Sequence, residues 1–197
     1  MGVHEGDSLR LVRSGTRAVG IDPGPDVRHR LGPDTTVVEA TSDEVLAGTT
    51  VPDLLGGLPI DLAFIDGMHL FEYALRDFIG LERWCAPGAT ILVHDCLPLD
   101  AETSARERSS VFWSGDVWKL PVCLAEHRPA LDWRTVDVEP TGLAVIRALD
   151  PTSTTLSDRY EEICERYLPL GYEAIGDDKG SRLRLVPGDW ESIAGWL

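Results

Sequence analysis

Short apolar runs alternate with helix-like stretches along the first half of the chain, and each run stops at a turn signal. The runs cover residues 17–22, 35–40, 61–66 and 89–95, the second and fourth being richest in β-branched residues. β-Branched side chains pack well on a pleated surface, so these four segments predict strands. Between the last two, Leu70, Phe71, Ala74, Leu75, Phe78 and Leu81 recur at helical spacing, and Ala86-Pro87-Gly88 marks a stop. This segment predicts a crossover helix, and the alternation as a whole predicts an α/β fold with a mostly parallel sheet and helices on both faces. A shorter helix is expected over residues 8–13.

The second half has a different rhythm. Residues 96–115 are polar and without a period, too long for an ordinary connection, and predict a lid or mobile loop. Asp116 then precedes a helical stretch, residues 117–127, with Pro121 near its start or at a kink. Residues 133–138 and 143–146 flank Glu139-Pro140-Thr141-Gly142, turn chemistry suited to an antiparallel hairpin. Leu156, Tyr160, Ile163 and Tyr167 follow at i, i+4, i+7 and i+11, so residues 151–197 are expected to form a C-terminal helical extension. With no internal repeat, residues 1–197 read as a single domain.

Composition narrows the choice of partner. Eighteen Lys and Arg face 33 Asp and Glu, a net charge of −15, and a surface so anionic repels phosphate backbones and acidic headgroups. Nucleic acid and membrane are therefore not expected as partners. No apolar run approaches the roughly 18 residues of a membrane span, no signal pattern opens the chain, and a cytoplasmic location is expected. Cys85, Cys96, Cys123 and Cys164 lie far apart and read as reduced thiols. Trp190 and Trp196 would be unusual if exposed, which makes a homo-oligomer an open expectation.

In an open α/β sheet, ligands bind beyond the carboxyl ends of the strands, and here three strands finish on Asp22, Asp66 and Asp95. Asp22, just before Pro23-Gly24-Pro25, is placed either to accept a ribose diol or to cap a turn. Asp66 and Asp95 converge if their strands are neighbours, and can then bridge one hard cation such as Mg²⁺; the alternative is that both cap turns. His69, three residues past Asp66, faces the same crevice as a general base or as a structural hydrogen-bonding group. His94 reads as a metal ligand, a support for one, or a core histidine. Gly2 and Gly6 form a glycine loop ahead of the Asp22 strand, where a nucleotide-type cofactor would meet the first turn.

With these residues in place, the chain resembles the class I S-adenosylmethionine-dependent methyltransferases, and most of all the bacterial branch that includes metal-dependent macrolide-sugar O-methyltransferases. The carrying pieces are G-V-H-E-G-D-S (2–8), V-G-I-D (19–22), V-V-E-A-T-S-D (37–43), F-I-D-G-M-H (64–69), W-C-A-P-G-A-T-I-L-V-H-D (84–95) and G-D-V-W-K (115–119). The resemblance implies a Rossmann-like sheet and methyl transfer from S-adenosylmethionine to a hydroxyl of a small molecule. It implies Gly2, Val3 and Gly6 under the cofactor, Asp22 on its ribose, Ala40, Thr41 and Ser42 beside the adenine, and Asp66 at both the cofactor and a Mg²⁺ site shared with Asp95 and His94. His69 would be the general base. Trp113 and Trp118 are candidate walls of the acceptor site, and Arg106 and Arg108 candidate partners for an anionic group.

Two departures accompany the resemblance. Relatives that bind Mg²⁺ commonly carry an acid where this chain has His94. They also carry a strand ending in E-x-G ahead of the glycine loop, where this sequence has only Met1, so a gap is expected in mid-sheet unless another segment or chain fills it. Two other readings stay open: an NAD-dependent oxidoreductase, weakened by the absence of G-x-G-x-x-G, and a catalytically inactive binding or scaffold domain.

Overall fold

The computed structural model describes residues 1–48, 50–109 and 111–196. Its strands fall into two groups. β1 (Ala18–Asp22) and β2 (Thr35–Glu39) form a parallel pair. β3 (Ile60–Ile65) runs parallel to β4 (Cys85–His94), which continues antiparallel to β6 (Leu143–Arg147); β6 pairs antiparallel with β5 (Asp132–Asp137), and β5 parallel with β7 (Leu185–Pro187). The order of the larger sheet is thus β3-β4-β6-β5-β7. Around them lie α1 (Ser42–Ala47), α2 (Thr50–Leu54), α3 (Phe71–Glu82), α4 (Lys119–His127), α5 (Thr155–Asp158), α6 (Tyr160–Tyr167), α7 (Lys179–Arg182) and α8 (Trp190–Ala194).

The α/β alternation and the antiparallel hairpin match the sequence reading, with three corrections. Residues 8–13 hold only a 3-10 turn, Leu9–Leu11, with no buried residue to anchor a longer helix. Ala86-Pro87-Gly88 does not end α3. It bulges out of β4, where the pairing jumps from Ile60↔Cys85 to Leu62↔Thr90 and Gly88 takes φ +83°. The C-terminal segment is not purely helical, since β7 extends the sheet and Arg159 separates α5 from α6.

The crossover α3 buries Phe71, Leu75 and Phe78 completely against Ile91 and Val93 of β4, together with Leu120 and Leu124 of α4. Each such side chain contributes roughly 1.5–3 kcal/mol. At its far end Glu82 accepts a two-pronged bond from Arg128, at 2.7 and 2.8 Å, and a third from the Asp150 amide at 3.0 Å, which ties α3 to the turns after α4 and before α5. Asp77 shares the buried face of α3, beside the Met1 amino group and Ser42, and burial pushes its carboxyl up to about 6.

Between β1 and β3 the sheet has a slot. Ala18 and Asp22 direct their backbone groups toward β2, so by strand alternation Val19 and Ile21 face the slot. From the other side Leu62 and Phe64 face it. Among the described residues, Met1 and Gly2 bridge the two edges: the Met1 amine donates to Phe64 O at 2.7 Å, Asp66 N donates to Met1 O at 3.0 Å, and Gly2 N donates to Ile21 O at 3.0 Å. These two residues thus occupy one end of the expected mid-sheet gap. Leu62, 63% exposed, lies on β3, the edge strand of the larger sheet that borders this opening.

Two measurements follow from this packing. Hydrogen exchange should show an alternating pattern, with the amides of Val19, Leu62 and Phe64 exchanging at least about 100-fold faster than those of Gly20, Ala63 and Ile65; equal protection would mean the slot is filled in solution. Asp77 binds its proton more tightly folded than unfolded, so its contribution is full below about pH 3.8 and lost as pH rises through about 6. Asp77→Asn should therefore raise the melting temperature at pH 7.5 and much less at pH 5, by up to about 3 kcal/mol at the higher pH.

Candidate active site

Parallel pairing of β3 with β4 carries Asp66 and Asp95 to the same end of the sheet, and the chain after each strand adds a histidine or follows one. Asp66 Oδ1 lies 3.5 Å from His69 Nε2 and 3.4 Å from His94 Nδ1. Asp95 Oδ2 lies 3.1 Å from His69 Nδ1 and 3.2 Å from His94 Nδ1. Donor atoms of Asp66, His69 and Asp95 all fall within 4.8 Å of one another. Asp95 is buried, while the other three side chains are partly open to solvent.

The local backbone is strained into this arrangement. His69 and Asp95 adopt φ of +55° and +63°, a left-handed conformation that costs a non-glycine residue about 1–2 kcal/mol. Their surroundings hold them there. The His69 carbonyl accepts from Asp116 N at 3.2 Å, and Gly115 lies so close that a Cβ would stand 1.8 Å from that carbonyl oxygen. Thr141 Oγ1, fully buried, donates to Asp95 Oδ1 at 2.5 Å and so leaves Oδ2 turned toward the histidines.

His69 Nδ1 donates to the backbone carbonyl of Trp113 at 2.9 Å, and the Trp113 ring stacks on the imidazole at 5.2 Å. A carbonyl only accepts, so Nδ1 carries the proton and Nε2 is the basic nitrogen of the neutral ring. Burial disfavours the charged imidazolium of His69, but the Asp66 and Asp95 carboxylates outweigh it and raise its affinity for a proton. The same two carboxylates push His94 up to about 10. Burial alone would raise Asp66; the neighbouring His69 and His94 instead hold it well below the usual carboxylate range.

A second group of expected residues assembles around the first strand. Asp22 Oδ2 accepts from Val3 N at 2.7 Å and His4 N at 2.9 Å, and Oδ1 from Gly24 N at 2.8 Å. These bonds outweigh burial and lower its pKa. Gly2 and Gly6 take φ of +78° and +87°, and a Cβ on Gly2 would stand 1.9 Å from Asp66 O, so only glycine lets the loop reach the end of β3. Ala40 N donates to Asp22 O at 3.1 Å, Thr41 caps α1 through a reciprocal bond with Glu44, and Ser42 opens that helix. The loop, Asp22 and residues 40–42 are thus neighbours, joined to the histidine cluster through Gly2.

Other expected residues fall elsewhere. Trp118 is buried with Leu97, Ile175 and Leu183 in a separate core cluster and is no wall of this site. Arg106 is committed to Glu72 and to buried Asp116, and Arg108 reaches the Val111 carbonyl at 3.5 Å. Trp190 is exposed, whereas Trp196 lies against Arg134 and Arg147 and donates to Asp132. All four cysteines are free and buried. Thr141 was not singled out by the sequence; the E-P-T-G turn announces a reversal, but nothing in it marks a hydroxyl aimed at Asp95.

Among the described residues no helix is long and apolar enough to cross a membrane. A family model described as a methyltransferase domain matches residues 1–96. Among solved structures, a protein from Klebsiella pneumoniae assigned as an O-methyltransferase shares 16% identity at a TM-score of 0.52, over 76% of this chain and 71% of that one. Cofactor-bound Rv0187 from MTB shares 18% identity at a TM-score of 0.46, over 66% of this chain and 72% of that one. The matched domain contains the glycine loop, Asp22, Asp66, His69 and Asp95, and the sheet around it is of the Rossmann-like kind. Residues 1–96 are thus similar to a methyltransferase domain, and the fold is shared with the O-methyltransferase from Klebsiella pneumoniae.

Proposed function

We propose that the chain moves the methyl group of S-adenosylmethionine to a hydroxyl of a small molecule, with His69 as general base. The observation that carries this is the fixed tautomer of His69: Trp113 O holds the Nδ1 proton, so Nε2 faces the carboxylate cluster with a free lone pair. The cofactor, when bound, supplies an electrophilic methyl on a sulfonium. Gly2, Val3, Gly6 and Asp66 would hold its methionine end, Asp22 its ribose, and Ala40, Thr41 and Ser42 its adenine. Attack by the acceptor oxygen forms the C–O bond as the C–S bond breaks. The hydroxyl proton passes to Nε2 of His69, and S-adenosylhomocysteine leaves. Positioning and proton removal are the protein's share of the catalysis.

The cluster also fits a divalent cation, because Asp66 Oδ1 and Asp95 Oδ2 both lie within 3.4 Å of His94 Nδ1. Asp66, Asp95 and His94 would hold it, with Mg²⁺ the ion the family resemblance suggests; a bound cation would lower the pKa of a coordinated hydroxyl. Residues 96–115 act as the lid of this site, Trp113 forming its inner wall. Residue 110 lies outside the described residues. The proposal treats residues 1–197 as one methyltransferase domain working in the cytoplasm, in bacteria, as a monomer or homo-oligomer.

Calorimetric titration with S-adenosylhomocysteine should give micromolar binding, weakened at least about 10-fold in Asp22→Ala. Absence of binding would remove the methyltransferase reading for this chain. In assays of methyl transfer to a panel of hydroxylated sugars and phenols, His69→Asn should lower turnover about 100- to 10,000-fold while leaving the affinity for S-adenosylhomocysteine nearly unchanged. Unchanged turnover would exclude His69 as the base.

A further inference from the structure

Helix α3 opens without a cap of its own, because Leu70 before it offers no side-chain bond. The first amides of a helix have no partner within it and carry part of its positive dipole, so a start buried this close to His69 calls for an acceptor from elsewhere. That acceptor is Asp116, 45 positions along the chain, whose Oδ1 takes the Phe71 amide in a buried bond of 2.8 Å. The amide of Asp116 in turn donates to the His69 carbonyl at 3.2 Å. One residue therefore holds the chain on both sides of Leu70, at the residue that carries the imidazole and at the first turn of the helix behind it. Between these two bonds the His69 backbone stays at φ +55°, a conformation that persists only where its surroundings enforce it.

Asp116 is itself immobilised. At 1% exposed, it gives Oδ2 to Lys119 Nζ at 2.8 Å and to Arg106 at 2.7 Å, and Lys119 is equally enclosed. Three residues before it, Trp113 O meets His69 Nδ1 and the Trp113 ring stacks on the imidazole. The bonds from Ser114 and Gly115 to Thr103 O lie within residues 96–115 and do not set that stretch against α3. The tautomer of His69 depends on this placement. Each ring nitrogen has a carboxylate nearby, Asp95 Oδ2 at 3.1 Å from Nδ1 and Asp66 Oδ1 at 3.5 Å from Nε2, so the carboxylates alone let either nitrogen keep the proton. Trp113 O, an acceptor on the Nδ1 side, decides between them.

We propose that Asp116 is a positioning residue for His69: it brackets the His69 backbone and sets Trp113 O against Nδ1, so that Nε2 is the nitrogen left open. The inference rests on the proposed methyl-transfer reading for what Nε2 does, and deepens it by naming the residue that governs the base.

The test follows the imidazole nitrogens of the full chain by ¹⁵N NMR with labelled histidine, at a pH where the His69 ring is neutral. Removing Asp116 alone would leave Lys119 buried without its counter-charge, so the variant is Asp116→Ala combined with Lys119→Met, its fold checked by circular dichroism. The Nε2–H form of His69, the minor one in the wild type, should rise at least about 5-fold, whereas Lys119→Met alone should leave the ratio as it is. Gly115→Ala parts the same contact from another side, since its Cβ would meet His69 O at 1.8 Å, and should give the same rise where the double variant does not fold. An unchanged ratio in the folded variants, or an equal change in Lys119→Met alone, overturns the proposal. Turnover with the acceptor panel gives a second readout: the double variant should lose about 10- to 100-fold in kcat at nearly unchanged S-adenosylhomocysteine affinity, and nothing further in a His69→Asn background, because its effect passes through that ring. Losses that multiply in that background mark a merely structural role and also overturn it. S-adenosylhomocysteine binding with no tautomer change sinks the positioning role alone, and a tautomer change in a chain that does not bind S-adenosylhomocysteine sinks the methyl-transfer reading alone.

Discussion

Everything chemical in this protein depends on the parallel pairing of β3 with β4. A parallel pair needs a crossover, the crossover is α3, and the core of the larger sheet is the surface that α3 buries. Ile65 opposite Val93 sets the register, and that register delivers Asp66 and Asp95 to one point. Two carboxylates so close repel one another unless positive charge stands between them. His94, which the two carboxylates push up to about 10, supplies it, and Asp66 stays ionised beside it.

The glycine loop and Asp22 are attached more loosely. Val19 and Ile21 share no ladder with Leu62 and Phe64, and the link between the two halves runs through Met1 and Gly2 and the close approach of Gly2 to Asp66. Asp22 already accepts three backbone bonds, two of them from the loop itself. Its role in the folded chain is to pin that loop against β1, and a ribose would have to share a carboxylate that has about four acceptor positions in all. A ligand that binds both halves stiffens the join, and a join left open lowers affinity by the fraction of molecules that have it formed.

Much of this was readable from residue patterns because the responsible interactions are local. The 3.6-residue period of Leu70 to Leu81 and the β-branched content of the strands report burial directly, and an Asp after a strand reports which end of the sheet it occupies. The failures share a cause as well. Ala86-Pro87-Gly88 carries the chemistry of a helix stop and of a strand bulge alike, and only pairing with β3 decides between them. Trp118 and Trp113 look equivalent in sequence, but one is buried against Ile175 and Leu183, far along the chain, and the other lies on His69. Thr141 reaches Asp95 across 46 positions, a distance at which no local pattern carries information.

The stretch that presses on His69 is fixed by a buried charge. Asp116 is almost fully enclosed, and an enclosed carboxylate is tolerated only when its lone pairs are filled. It accepts from Phe71 N at 2.8 Å, from Lys119 Nζ at 2.8 Å and from Arg106 at 2.7 Å, and Arg106 reaches on to Glu72. The start of α3, the start of α4 and the loop are thereby bound to one anion, and residues 113–116 press on His69 from behind. Removing that anion would release the strained His69 backbone and the stacked Trp113 together. Val111 and Phe112, 82% and 56% exposed, sit just before this fixed stretch and present apolar surface at its edge. The anchored stretch, residues 113–116, thereby fixes the imidazole of His69 through the Nδ1 bond to Trp113 O and the backbone bond from Asp116 N.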